Sequence, residues 1–242
     1  MPILLNESTP LERYTHNLTI LAQQGDFAPL SGEDVVIDRV FHVAGRRNKN
    51  VPVILGDEGR RWAIVAEVVR RMAVGDAPPP FPKQQVIALD FEALFSNLSD
   101  DTAMRRKLRE KRIEPLIKKL DQVEPDSKEE SALLDEMFLW PPLEEWIAPN
   151  MALARLQSAF IAMHEVKGTF ILFVDHFHRL VGGERERYPI DAAGLLKPAL
   201  ARDQIQLLGA CTLEQYRQHI EHDAAINRRC QGVCLPALDH VP

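Results

Sequence analysis

Residues 51 to 62 read VPVILGDEGRRW, an apolar run that passes through Gly56-Asp57-Glu58-Gly59-Arg60-Arg61-Trp62 into the amphipathic stretch AIVAEVVRRM. A strand, a glycine-containing turn and a helix N-terminus together make a place where an α/β protein holds phosphate, because free backbone N–H groups and the helix dipole converge there. Far along the chain, TFILFVD at 169 to 175 is a second apolar run ending in an acid. A carboxylate so placed, at Asp175, would face a cation bound to that phosphate. His176 and His178 follow it, and structural roles at a strand end account for them better than an Asp-His-His metal site. Cys230 and Cys234, with Cys211, His219, His222 and His240 nearby in sequence, invite a zinc reading. The spacing is not C-x-x-C and no second pair exists, so buried or idle thiols are expected instead.

The elements that must position these groups can be read from the pattern of apolar residues. VPVIL (51 to 55), VIALD (86 to 90), TFILFVD (169 to 175) and IQLLGA (205 to 210) are short, β-branched and free of charge until their ends, as strands buried on both faces of a parallel sheet are. A fifth strand is expected at Val233 to Leu235. Val65, Val68, Val69 and Met72 follow helical spacing, and Leu195, Leu196, Ala199 and Leu200 repeat a similar stripe. Strand and helix alternate, so the class is α/β. Ser31, three residues before Asp34, predicts a capped helix ahead of the sheet, and Thr212 with Gln215 predicts a capping box opening a helix to about Asp223.

Composition bounds the function. The chain has 242 residues, with 29 Lys+Arg against 35 Asp+Glu, a formal charge of -6. A general affinity for nucleic acid is disfavoured. MPILLNESTP has no basic leader region, and TFILFV is far too short to cross a bilayer, so neither membrane nor secretion is expected. Three cysteines suit a reducing, cytoplasmic setting. The stretch from Asp100 to Pro149 breaks the rhythm: a basic segment, an acidic one, then FLWPPLEEWIAP with Trp140 and Trp146. It reads as a solvated insertion whose last part either folds back on the domain or serves as a docking surface.

LERYTHNLTILAQQGDFAPLSGEDVVIDRVFHVAGRRNKNVPVILG, VDHFHRLVGG and DAAGLLKPALARDQIQLLGACTLEQYRQHIEHDAAINRR closely resemble the first AAA+ module of the Clp-type unfoldases ClpA, ClpB and ClpC, over residues 11 to 98 and 166 to 235. The resemblance implies an AAA+ P-loop NTPase-like three-layer α/β sandwich with a five-stranded parallel sheet, without the helical lid, built to bind ATP and assemble into rings. It also implies one AAA+ large subdomain over 1–242. Its parts are an N-terminal segment and first helix (1–50), two strands with the phosphate loop (51–98), the charged insertion (99–150), and the segment from the Walker B-like strand to the fifth strand (151–242).

Several positions depart from the family. Its phosphate loop, G-x-x-x-x-G-K-[ST], uses Lys to neutralise phosphate and the hydroxyl to bind magnesium. Here the loop is one residue shorter: Arg61 falls at the Lys position, Trp62 at the Thr position, the second glycine is absent, and Asp57 and Glu58 bring two carboxylates to a turn meant for an anion. Losing two charge-assisted contacts of roughly 1.5 to 3 kcal/mol each weakens affinity by about 10² to 10⁴. The Walker B pair reads Asp175-His176 rather than Asp-Glu. Thr212 aligns with the sensor-1 threonine and Arg228-Arg229 with the paired arginines that reach a neighbour's nucleotide, while Ser99-Asp100-Asp101-Thr102 replaces the aromatic channel loop and Gly182 to Tyr188 would form the second one.

The resemblance thus implies a degenerate module with weakened or lost ATP turnover, acting in protein interaction. No cofactor is expected to bind with high affinity. A protein partner or related AAA+ subunits are expected, with a monomer or weak homo-oligomer in isolation. The alternative is an atypical ATPase binding MgATP through Gly56 to Trp62, with Arg60 or Arg61 on phosphate, Asp175 on magnesium and His176 as base.

Overall fold

In a computed structural model of the chain, the described residues are 10–96, 143–166, 169–181, 192–202 and 205–236, with isolated positions between 115 and 133. The apolar runs form strands β2 (Val51–Leu55), β3 (Gln85–Leu89), β4 (Phe170–Val174), β5 (Gln206–Cys211) and β6 (Cys230–Cys234). All five are parallel, in the order β3-β4-β5-β2-β6. The fifth begins at Cys230, earlier than its apolar residues suggest. A sixth strand, β1 (Thr15–Asn17), pairs antiparallel with the edge strand β3, Thr15 opposite Leu89. Three residues of the type Thr-His-Asn carry no strand signal, so this element is set by its place on the edge rather than by propensity.

Alternation along each strand divides the core into two layers. Val53, Leu55, Leu172, Val174 and Leu207 face one side, with the short α1 (Pro10–Tyr14) and α5 (Phe91–Phe95), α6 (Leu143–Glu165) and α7 (Ala193–Ala201). Ile54, Ile171, Phe173, Leu208 and Ala210 face the other, where α2 (Leu18–Gln24), α3 (Asp34–Ala44) and α4 (Glu58–Val74) lie. The α4 stripe of Ile64, Val65, Val68, Val69 and Met72 is buried, as its helical spacing demands. The result is the three-layer sandwich.

Local signals fare differently. Thr212 and Gln215 do form the capping box, which opens α8 (Leu213–Gln215). That helix continues as a π-helical turn over Tyr216–Ile220 and stops there, short of Asp223, which instead caps α9 (Ala224–Asn227). Ser31 does not cap α3. Glu33 is the cap residue, its carbonyl accepting from Val36 and Ile37, and it supplies no side-chain cap because its carboxylate is drawn to Arg60 at 2.5 Å. Trp140, Ser99 to Thr102 and Gly182 to Tyr188 lie outside the described residues, as does most of the charged insertion; Trp146 falls within α6.

Electrostatics binds the segment before α3 onto α4. Glu67 is buried, and its carboxylate accepts from Arg70 at 2.7 and 2.8 Å, from Arg71 at 2.9 Å and from the Leu30 amide at 3.2 Å. Arg71 also pairs with Asp34. The Arg70 hydrogen bonds, aided by those of Arg71 and Leu30 against the opposing effect of burial, pull the Glu67 pKa down to about 2. A carboxylate lowered in this way contributes stability that is present above its unfolded pKa and is lost as pH falls through the folded one. Unfolding free energy is therefore expected to drop by on the order of 3 kcal/mol between about pH 5 and pH 2 on account of Glu67. Urea titrations across that range check it, and Glu67→Gln should flatten the slope.

Candidate functional site

The carboxyl ends of β2, β5 and β4 lie side by side, and the named residues gather there. β2 ends at Leu55 and α4 begins at Glu58, so the connecting turn is only Gly56 and Asp57. Asp57 is the N-cap residue but makes no side-chain cap bond. The Leu235 side chain lies over Gly56, where a Cβ would stand 2.6 Å from Leu235 Cδ1, so a larger residue here requires Leu235 to move. Gly59 is unobstructed on the first turn of α4.

Two strand spacings, roughly 10 Å, separate the ends of β2 and β4, and a long side chain crosses the gap. Arg61 lies in the first turn of α4, with its backbone N–H bonded to Asp57 O. Its guanidinium reaches back to donate to Gly56 O at 2.7 Å and to Asp175 Oδ1 at 3.1 Å. The side chain is 2% exposed, against 30% for Asp175. Beneath this bridge, at the end of β5, burial pushes the Cys211 thiol up to about 12, with Arg61 acting to lower it and Asp175 to raise it. Cys230 is likewise raised by burial, and Cys234 is exposed and free.

Asp175 Oδ1 also accepts the backbone N–H of His176 at 2.8 Å. His176 adopts a left-handed backbone, φ 51°, ψ 45°, which turns the chain directly into a short 3-10 helix at Phe177–Leu180. Its Nε2 lies 3.9 Å from Asp175 Oδ2. His178 is buried beside it, ring centroids 6.0 Å apart, and the His219 ring lies 5.7 Å beyond.

The remaining residues of the turn are engaged elsewhere. Arg60 donates to Glu33 Oε1 at 2.5 Å and to Pro236 O at 2.6 Å, tying the segment before α3 to the exit of β6. Trp62 is 42% exposed and packs against Phe27 and Phe173, with centroid separations of 6.4 and 5.9 Å. Thr212 Oγ1 accepts from the Gln215 amide at 3.2 Å, so its hydroxyl serves the capping box. Arg228 and Arg229 are not brought to this end. They precede β6, whose first residue pairs with Val51 at the start of β2, and so lie at the opposite, amino-terminal end of the strands. Arg228 is exposed, and Arg229 donates to Ala201 O at 3.0 Å. Sequence reading did not find Glu33, Leu235 or Pro236 as partners of the turn, and their residue types carry no signal that could have done so.

A parallel five-stranded sheet with helices on both faces, and a glycine turn leading from an interior strand into a long helix beside an acid-ended strand, make a doubly wound α/β domain of the kind the sequence resemblance to an AAA+ module implies. The comparisons agree. The chain is 34% identical over 234 residues to the chloroplastic chaperone protein ClpC2 of Oryza sativa, and 32% identical over 228 residues to chaperone protein ClpB of Aquifex aeolicus. These alignments cover 96% and 94% of the chain but 20% and 18% of the relatives, so the chain spans about a fifth of their length. The S. cerevisiae Hsp104–ADP complex superposes with a TM-score of 0.62 at 25% identity, covering 93% of the chain and 30% of Hsp104. The Hsp104–casein complex gives 0.62 at 26%, covering 94% and 30%. No protein-family model matches the chain. The chain is a Clp-type AAA+ domain. No helix among the described residues is long and apolar enough to cross a membrane.

Removing one partner of a buried ion pair leaves the other charge uncompensated, at a cost of about 3 to 5 kcal/mol. Asp175 is partly exposed, so Asp175→Asn is expected to lower the unfolding free energy by less, about 2 to 3 kcal/mol. Arg61→Met in the same chain should recover most of the loss, because it removes the orphaned cation. Urea unfolding of the single and double variants measures both effects.

Proposed function

We propose that this Clp-type AAA+ domain keeps the family's fold as a structural or regulatory protein-interaction module, with ATP binding and hydrolysis weakened or lost. The observation that carries this reading is the Arg61–Asp175 pair: the cation at the position of the family's phosphate-binding lysine is buried and held by an internal carboxylate instead of being free for phosphate. Other features support it. A turn of two residues leaves few free amides to wrap a phosphate chain, Leu235 covers Gly56, and Trp62 stands where the family's magnesium-binding hydroxyl would be. The residues present do not fit MgATP, and no catalytic step is assigned through it.

The alternative, an atypical ATPase, needs Arg60 or Arg61 free for phosphate. Arg60 is engaged by Glu33 and Pro236 O, and Arg61 by Gly56 O and Asp175, which favours the first reading. The partner in this reading is another protein or a related AAA+ subunit, with the exposed Arg228 and its neighbour Arg229 offering the edge that meets it, and a monomer or weak homo-oligomer in isolation. The setting proposed is the cytoplasm.

A ligand that binds only the folded state raises stability by about 2.7 kcal/mol at one hundred times its dissociation constant. Millimolar MgATP is therefore expected to leave the melting temperature unchanged, and calorimetry to give a dissociation constant in the millimolar range or no binding. A sub-micromolar constant would overturn the proposal.

A further inference from the structure

We propose that the first turn of α4 and the end of β4 form a nucleotide-independent site for a divalent transition metal, with Glu58, Asp175 and His176 as its protein ligands. Each of the three offers a donor atom, and these atoms lie within 4.8 Å of one another. Glu58 lies more than a hundred residues before Asp175 and His176, and they are brought together by the same sheet topology that aligns β2 and β4. One imidazole and two carboxylates form a ligand set suited to Zn²⁺, Co²⁺ or Ni²⁺, with a position left for water. Magnesium prefers an all-oxygen shell, so the site differs in kind from a nucleotide-linked magnesium position.

Arg61 bears on the site in two ways. Its Nη2 occupies Asp175 Oδ1 and leaves Oδ2, the oxygen 3.9 Å from His176 Nε2, available to a cation. An outer hydrogen bond of this kind fixes a ligating carboxylate. Arg61 is also buried with its Nε lacking any hydrogen-bond partner, so the guanidinium directed at Asp175 still has an unmet demand for an acceptor. Hydroxide on a metal supplies an acceptor of the required sign. Two carboxylates against one guanidinium, with neutral imidazole, leave a net charge of about -1, enough to attract a dication without the excess negative charge that would favour calcium. The proposal does not rest on the loss of nucleotide binding, since none of its ligands needs a phosphate.

The test is calorimetric titration of the whole chain with Co²⁺ and Zn²⁺ in the absence of nucleotide, with Co²⁺ absorption as a second readout. One equivalent is expected to bind, and Glu58→Gln and His176→Asn should each weaken it at least about tenfold. Asn tolerates the left-handed backbone at 176, and both side chains are solvent-accessible, so circular dichroism should show both variants folded. His219→Ala should leave binding unchanged. No binding, binding that survives Glu58→Gln and His176→Asn, or Mg²⁺ binding as tightly as Zn²⁺ would each overturn the proposal.

Discussion

A buried guanidinium has to be met by acceptors and a negative charge, and at the end of β2 that requirement organises everything around it. Arg61 is held in the first turn of α4 by the helix itself, so its head must be satisfied within reach of that turn. Gly56 O and Asp175 are what the sheet offers there. The carboxylate in turn takes the His176 amide, which sets the sharp left-handed exit from β4. Two chain segments far apart in sequence, the turn after β2 and the end of β4, are thereby fixed by one planar cation, in a place where lysine, a point charge without a fork, could not satisfy the same acceptors.

A second set of charges works on the opposite flank of α4. Arg60, Glu67, Arg70 and Arg71 form a seam that holds the segment from Leu30 to Asp34 across the helix, with the backbone amide of Leu30 and the carboxylates of Glu33 and Asp34 as its far side. Phe27 continues this seam in apolar form through its edge contact with Trp62. The seam accounts for α3 beginning without a side-chain cap, since the Glu33 carboxylate is paired with Arg60.

Much of this was legible in the sequence because it depends on short-range pattern. Uninterrupted apolar runs marked four strands to within a residue or two, the α4 stripe marked its buried face, and Thr212 with Gln215 marked a real cap. What was not legible depends on partners far away. β1 has no pattern of its own and exists because β3 offers an edge. β6 begins with Cys-Gln-Gly, which periodicity does not recognise, and is placed by pairing with β2. The family resemblance located Arg61 and Asp175 as separate positions in a nucleotide site, but their direct contact across β5 follows only from the strand order. Glu58 was read as an unwelcome charge in a turn; its approach to Asp175 and His176 is likewise a matter of topology.

The placing of Arg228 and Arg229 at the end of the strands opposite the Gly56 turn gives the domain two unlike poles. In a pair of copies related by a two-fold axis every contact is made twice and the same surface faces itself, so poles at opposite ends of the domain cannot meet one another. Joining unlike poles is a heterologous contact, which propagates until a rotation closes it into a ring or leaves it open as a fibre. A domain with one altered pole is therefore directional in any such array: it can follow one neighbour while offering the next a different surface.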